Sequence, residues 1–371
     1  MSPDPWRDAR ELLCVRLDAA GDVIMTTPAL RALKQAVPGR RITLLASPAG
    51  AEAAALVPEV DRVIAYDAPW MKATGRRTDP APDLALVERL RGERFDAAVI
   101  FTVYSQSPLP AALLCHLAGI PLRLAHCREN PYALLTDWVH EPEPEQGVRH
   151  EVQRQLDLVA QVGARPDQSG LSLEVTSPPR QSALQALRAC GHDPDAPWLA
   201  IHPGASAPSR RYPWMAEAAG LVHAETGRRL VVTVGPGERE AAEAVRAAAG
   251  GGAVSLADRL TFAELAALIE AAPLLICNNS GPAHVAAAVG TPTVVLYALT
   301  NPQHSPWETP SRVLSHDVPC RWCYRSVCPE GHHDCLRKVS PREVVAAAVE
   351  LLAEVGEVSS GEAEVGAKPG G

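Results

Sequence analysis

The segment from Pro273 to Tyr297 constrains the fold most strongly, because it contains one complete strand–helix–strand unit. Its apolar run 274–277 predicts a buried strand, and the alanine-rich run 283–289 predicts a helix that Gly290 ends. A second apolar strand follows at 292–297. Two such strands joined by a helix form a right-handed crossover, so the sequence predicts a parallel α/β sheet.

The start of this helix is a candidate anion site. Ser280 is suited to cap the helix, and Gly281 lets a ligand approach the backbone closely. The free N–H groups and the positive end of the helix dipole favour an anion, and we expect a diphosphate. The alternative is a crossover that binds nothing, in which His284 only caps its own helix.

Strands and helices alternate in two blocks of the chain, which indicates two sheets covered by helices on both faces. The predicted strands of the first block are 12–17, 42–46, 62–66 and 95–101, and those of the second include 198–202 and 230–234. We therefore predict two Rossmann-like domains facing each other across a cleft.

The predicted boundary between the domains is the proline pair Pro178 and Pro179, which we interpret as a hinge. It separates an N-terminal domain, 1–177, from a C-terminal domain, 178–355. The final stretch, 356–371, has too little apolar content to fold, and we expect it to be disordered.

Composition excludes several classes of protein. A chain of 371 residues with 47% hydrophobic residues is sufficient for two globular domains. Its net charge of −8 argues against a general nucleic-acid binder. The N-terminus lacks the apolar core of a secretory signal, and no apolar run is long enough to cross a bilayer. We expect a cytoplasmic monomer.

The turn after the first strand contains a candidate general base. The stretch LDAAGDVIMTTPALRALK places Gly21 and Asp22 where the strand meets the first helix. Ligands of doubly wound sheets bind at the carboxyl ends of strands, and a carboxylate there can accept a proton. Asp22 could instead only pair with its helix dipole, and Asp18 competes for the same role.

Two loops of the second block are suited to bind phosphate. The loop HPGASAPSRRYP, 202–213, contains Arg210 and Arg211, which with backbone N–H groups would clamp a diphosphate. A solvated basic loop is the alternative. The turn GPGERE, 235–240, follows another strand at the same edge. In the first block, the aperiodic stretch 68–82 predicts a mobile loop.

These segments occur in the order and spacing of glycosyltransferase family 9. From Leu12 to Leu352 the chain resembles the bacterial heptosyltransferases of lipopolysaccharide core synthesis. The resemblance implies a GT-B fold, an inverting transfer from ADP-L-glycero-D-manno-heptose, and no catalytic metal.

The resemblance also assigns roles to residues. Asp22 matches the catalytic base, Arg210 a lysine that stabilises the donor diphosphate, and Glu238 a glutamate that contacts the ribose. The remaining expected donor-binding residues are Ser206, Asn279, Ser280, Gly281 and His284. The family usually has Asp at position 279, so the Asn here leaves the identity of the sugar open.

The implied acceptor is a hydroxyl of a lipopolysaccharide core or another cell-surface glycan or glycolipid, held by the N-terminal domain and the 68–82 loop. Three other interpretations remain open at this point. They are a nucleotide-sugar 2-epimerase of GT-B fold, an inactive nucleotide-sugar-binding module, and a transferase acting on an exopolysaccharide or glycolipid.

Four cysteines are clustered with the spacing C-x2-C-x4-C-x6-C. They are Cys320, Cys323, Cys328 and Cys335. Four thiolates on a short segment are suited to a structural zinc ion, while reduced thiols or a disulfide-linked loop are the alternatives. The segment is also basic, which is typical of a solvated loop or of contact with an anionic acceptor or the inner face of the plasma membrane.

Overall fold

The computed structural model describes residues 4–72 and 74–365, with side chains described as far as residue 356. The chain divides into two compact units, one ending at Glu174 and the other beginning at Val175. Within the described residues each unit contains a six-stranded sheet.

The first unit has a fully parallel sheet flanked by helices. Its strands are β1 (Glu11–Arg16), β2 (Arg41–Ala46), β3 (Arg62–Ala65), β4 (Ala97–Ile100), β5 (Leu122–Cys127) and β6 (Asp137–His140). Its helices are α1 (Pro5–Asp8), α2 (Ala20–Ala36), α3 (Pro48–Ala54), α4 (Ala81–Glu93), α5 (Leu109–Leu117) and α6 (Glu151–Ala160). The strand order is β3-β2-β1-β4-β5-β6.

The second unit repeats this plan. Its strands are β7 (Trp198–His202), β8 (Arg229–Val232), β9 (Ala253–Ser255), β10 (Leu275–Asn278), β11 (Thr293–Leu296) and β12 (Ser311–Leu314). Its helices are α7 (Ser177–Ala189), α8 (Met215–Thr226), α9 (Arg239–Ala248), α10 (Phe262–Ala271), α11 (Gly281–Val289), α12 (Asp334–Arg337) and α13 (Pro341–Val365). The order β12-β11-β10-β7-β8-β9 is the same doubly wound arrangement.

Each sheet has a switch point where the strand order reverses direction. It lies between β1 and β4 in the first unit and between β7 and β10 in the second. Ligands of doubly wound sheets bind outside the carboxyl ends of the strands at this point. The two sheets confirm the predicted pair of Rossmann-like domains, and the loops after these four strands contain most of the candidate site residues.

The central strands are buried on both faces, as expected for a parallel sheet covered by helices. In β1 the side chains of Leu12, Leu13 and Cys14 are completely buried, and Leu90 of α4 packs in the same core. The core is built from aliphatic residues, because aromatic residues make up only 4% of the chain.

The chain divides between Glu174 and Val175, close to the predicted proline pair. Pro178 and Pro179 lie in the first turn of α7, because proline suits the start of a helix, where its missing N–H is not needed. The last helix, α13, extends to Val365 and so enters the stretch 356–371. Residues 366–371 lie outside the described residues, and the disorder expected for this stretch stays a prediction.

The two faces of α4 provide a test of this packing. Leu90→Ala, at a completely buried position, should lower the free energy of unfolding by about 2–5 kcal/mol, because it leaves a cavity in the first core. Leu84→Ala, on the same helix but 62% exposed, should change it by less than about 0.5 kcal/mol. Urea unfolding followed by tryptophan fluorescence compares the two, and equal losses would contradict this core assignment.

Candidate active site

A buried arginine organises the switch point of the first unit. The Arg16 side chain, at the end of β1, is completely buried. Its Nε lies 3.0 Å from Oδ2 of Asp18, and its Nη2 lies 3.2 Å from Oδ1 of Asp22. Its Nη1 lies 2.9 Å from Oε1 of the buried Glu151, the first residue of α6. A guanidinium buried without partners would be strongly destabilising, so these carboxylates neutralise Arg16 and are held by it.

Asp22 occupies the first turn of α2, and its side chain is 19% exposed. Its Oδ2 accepts a hydrogen bond from the backbone N–H of Ala19 at 3.2 Å. Burial raises the pKa of Asp22, the positive charge of Arg16 opposes the rise, and Glu151 adds to it, with a raised pKa as the result. A carboxylate with a raised pKa is a stronger base than an ordinary aspartate. Asp22 thus makes the expected helix-end contact and also has the properties of a general base.

Asp18 lies on the same guanidinium but is less accessible. Its side chain is 11% exposed, and its Oδ1 accepts a hydrogen bond from Nε2 of Gln106 at 2.6 Å. Burial also raises the pKa of Asp18, against the effect of Arg16. With one oxygen on Arg16 and the other on Gln106, Asp18 is placed to orient its neighbours.

A cavity of about 170 Å³ opens between the ends of β1 and β4. Asp18, Thr102 and Gln106 supply polar atoms, and Trp70 and Met71 of the 68–82 loop form part of an otherwise apolar lining. The Oγ1 atom of Thr102 is buried and has no hydrogen-bond partner within the described residues. A buried hydroxyl without a partner is costly, so this cavity is suited to a ligand that is partly apolar and partly polar.

At the switch point of the second unit, Asn278 fixes the loop after β7. Its buried amide Nδ2 donates to the carbonyls of Pro203 (2.8 Å) and Gly204 (3.2 Å). Its Oδ1 accepts the backbone N–H of Tyr212 at 3.0 Å. The sequence analysis does not assign a role to Asn278. The signal present in the sequence is a polar residue directly after the apolar run 274–277, because a side chain buried there must find partners.

Asn279 and the first turn of α11 lie where the sequence predicts an anion site. The Oδ1 atom of Asn279 accepts the N–H of Ala298 at 3.2 Å, while its buried Nδ2 has no partner within the described residues. Ser280 does not cap the helix with its side chain, since its Oγ lies 3.4 Å from the carbonyl of Asn278. A Cβ at Gly281 would meet no atom within 4 Å, so packing inside the protein does not explain this glycine.

His284 of the same turn is 6% exposed, and its ring lies edge-on to that of His304 at 6.4 Å between centroids. It is therefore packed inside the unit, about one helical turn from the half-buried start of α11.

Glu238 connects the two phosphate-loop candidates. Its Oε2 accepts the N–H of Gly235 at 3.1 Å, and a Cβ on Gly204 would lie only 1.9 Å from that oxygen. A side chain at 204 would displace this carboxylate, which lies directly against the 202–213 loop. Oε1 of Glu238 lies 3.5 Å from the guanidinium of Arg211.

The two adjacent arginines of the loop have different surroundings. Arg211 pairs with Glu238 and donates from Nε to the carbonyl of Ala205 at 2.8 Å. Arg210 ends a short 3-10 helix, and its guanidinium has no ion pair within residues 4–72 and 74–356. Ser206 is exposed on the same loop. Arg210 therefore has no carboxylate that competes with a ligand, whereas the exposed Arg211 already faces Glu238.

The cysteine segment supports this loop. The backbone N–H and the Oγ of Ser209 donate to the carbonyls of Ser326 (3.0 Å) and Arg325 (2.8 Å). All nine cysteines are free thiols. In the part of the chain that the structure describes, no three His, Cys, Asp or Glu side chains are grouped to hold a metal ion. The structural zinc ion expected at Cys320, Cys323, Cys328 and Cys335 stays a prediction.

None of the helices within the described ranges combines the length and the apolar content that a bilayer-spanning helix needs. Two doubly wound sheets, one in each unit, are the architecture of the GT-B class. The family model for glycosyltransferase family 9 (heptosyltransferase) matches residues 84–333. The chain belongs to this family, which confirms the resemblance found in the sequence and makes it a glycosyltransferase.

Individual relatives agree with this assignment. The chain is 26% identical over 324 residues to lipopolysaccharide heptosyltransferase 1 of Pseudomonas aeruginosa, covering 85% of this chain and 87% of that protein. It is 34% identical to lipooligosaccharide heptosyltransferase 2 of Campylobacter jejuni over 100 residues, which span 26% of this chain and only 31% of that relative. The structure of the E. coli ADP-heptose lps heptosyltransferase II superposes with a TM-score of 0.74 at 23% identity, over 93% of this chain and 99% of that one. This likeness confirms the predicted GT-B fold.

The network around Arg16 predicts the effect of Glu151→Gln on Asp22. The negative charge of Glu151 makes it harder for Asp22 to lose a proton, so its removal should lower the pKa of Asp22. Carbon-13 NMR titration of the aspartate carboxyl groups measures this change, with the Asp22 signal assigned from its absence in Asp22→Asn. Glu145→Gln, at an exposed position in the same unit, is the charge-matched control. An Asp22 titration that is identical in the two variants would show that Glu151 does not act on it.

Proposed function

We propose that this chain transfers a heptose from ADP-heptose to a hydroxyl of a lipopolysaccharide core glycan, with inversion at the anomeric carbon. The observation that carries the proposal is the partly exposed carboxylate of Asp22, held by the buried Arg16 at the switch point of the first unit. The heptosyltransferase names of full-length relatives support the sugar and the acceptor, and the E. coli structure names ADP-heptose.

The donor diphosphate would bind at the switch point of the second unit. The first turn of α11 offers N–H groups that the Ser280 side chain does not cap, and Nδ2 of Asn279 is a buried donor that needs an acceptor. Arg210 would add the positive charge that a departing diphosphate requires. Gly281 would allow the phosphate oxygens to reach the backbone.

The nucleoside would lie along the turn that contains Glu238. Its carboxylate, fixed by the Gly235 N–H and Arg211, is suited to accept hydrogen bonds from ribose hydroxyls. An apolar cavity of about 70 Å³ adjoins this turn and would contact the base. It is lined by Thr233, Val234, Pro236, Leu256, Asp258, Leu260 and Leu265.

The acceptor would use the cavity of the first unit. A sugar ring can stack on the indole of Trp70, while its hydroxyl groups bond to Asp18, Gln106 and the unpartnered Oγ1 of Thr102. Asp18 and Asp22 share the Arg16 guanidinium, so this cavity lies next to the proposed base. We propose a cytoplasmic monomer, with lipid-linked acceptors reached at the inner face of the plasma membrane.

In the proposed step, Asp22 removes the proton of the acceptor hydroxyl while that oxygen attacks the anomeric carbon of the donor. The bond from that carbon to the diphosphate oxygen breaks, and ADP leaves with the negative charge. Attack from the side opposite the leaving group inverts the configuration. Arg210, Asn279 and the start of α11 would stabilise the charge that develops on ADP.

Asp22→Asn tests the catalytic role. The amide cannot take up the proton, so single-turnover transfer should fall by about a hundredfold or more. ADP affinity, measured by calorimetry, should stay unchanged, because the proposed donor residues lie in the other unit. Near-normal transfer by the variant would contradict the proposal. Conversion of the nucleotide sugar to an isomer without any acceptor would instead establish a 2-epimerase.

A further inference from the structure

A group of arginines lies beside β9, the edge strand of the second unit. Four of them line one cavity of about 460 Å³: Arg229, Arg239, Arg246 and Arg259. Glu243 is the one acidic residue in this lining. The glycines at 250 and 251 form another part of the wall, so the backbone there is open to a ligand.

Two of the four guanidinium groups are already neutralised. Arg239 pairs with Asp258 at 2.8 Å, and Arg246 pairs with Glu243 at 3.0 Å. These pairs hold the two side chains in place. The net charge of the cavity lining therefore depends on Arg229 and Arg259.

Arg229 and Arg259 contact only neutral groups. Nη1 of Arg229 donates to the carbonyl of Gly191 at 3.0 Å, and its buried Nε has no hydrogen-bond partner in the described part of the chain. Nη1 of Arg259 lies 3.1 Å from Sγ of Cys190. Neither arginine has a carboxylate within ion-pair distance among the described residues. The cavity therefore has an excess of two positive charges, in a chain whose net charge is −8.

The positive charge of the cavity affects the pKa of a neighbouring histidine. The buried His192 has a pKa below its ordinary value because of burial and, second, because of the positive charge of Arg229. The carboxylate of Asp193 acts on the pKa of His192 in the opposite direction but does not reverse the shift.

We propose that this cavity binds the phosphate group of a phosphorylated ligand, at a site separate from the donor site. Two guanidinium groups without carboxylate partners match the charge and the geometry of a phosphate, and the buried Nε of Arg229 would gain the acceptor that it lacks. The volume exceeds that of a phosphate alone, so the ligand carries an organic part, such as a lipid head group or a free sugar phosphate.

The site differs from the proposed donor site in position. Donor residues follow the carboxyl ends of β7, β8 and β10, whereas Arg229 lies at the amino end of β8. Cys190 and Gly250, which line the same cavity, precede β7 and β9. Arg239 is the sequence neighbour of Glu238, but its guanidinium is held by Asp258. The proposal of a second site therefore does not depend on the identity of the sugar donor.

Calorimetric titration with inorganic pyrophosphate tests the proposal, because this probe can bind both sites. Arg210→Gln should weaken pyrophosphate binding at the proposed donor site. Arg259→Gln should weaken pyrophosphate binding at the arginine-lined cavity by about tenfold, the effect of losing a charged hydrogen bond. Arg188→Gln, an exposed arginine outside the cavity, is the control for net charge. Because Arg259 is exposed, its replacement should not unfold the protein, which circular dichroism verifies. Pyrophosphate binding by Arg259→Gln that equals that of Arg188→Gln would overturn the proposal.

Sedimentation with vesicles distinguishes the two sources of phosphate. If the ligand is a lipid head group, Arg259→Gln should reduce binding to phosphatidylglycerol vesicles more than Arg188→Gln does, with no binding to phosphatidylcholine. If the ligand is a free phosphate compound, the two variants should differ with pyrophosphate but not with vesicles. Variants that differ in neither assay would refute the site.

Discussion

The structure depends on the buried guanidinium of Arg16 and the three carboxylates around it. A charge at this depth is stable only when it is paired, and its partners come from the loop after β1, from α2 and from α6. The same ion pairs fix Asp22 at the end of a central strand while leaving part of it exposed. Stability and proposed catalysis therefore use the same contacts, and the base needs no separate support.

In the second unit, neutral groups instead of ion pairs fix the loop at the switch point. The buried amide of Asn278 takes the place of an ion pair and fixes the loop that contains Ser206 and Arg210. The cysteine segment holds Ser209 of that loop from another direction. A loop fixed at several points presents Arg210 and the start of α11 in a constant arrangement, which is what stabilisation of a leaving group requires.

Local sequence was enough to find the central strands, the helix that begins with Gly281, and the turn containing Asp22, because each rests on nearby residues. Contacts between distant residues could not be found in this way. Glu151 reaches Arg16 across 135 positions, and Gly204 is explained only by the carboxylate of Glu238. The proline pair predicts a hinge and a helix start equally well, and the structure places it at the start of α7. Cysteine spacing alone does not decide between a zinc site and reduced thiols.

The most direct test of this account is the anomeric configuration of the product, determined by NMR after incubation with ADP-heptose and a core glycan that lacks the heptose. The account predicts a new glycosidic bond with the configuration opposite to that of the donor, because Asp22 activates the acceptor for direct attack. A product that retains the donor configuration would contradict it, since retention requires a different route from a single displacement at that carbon.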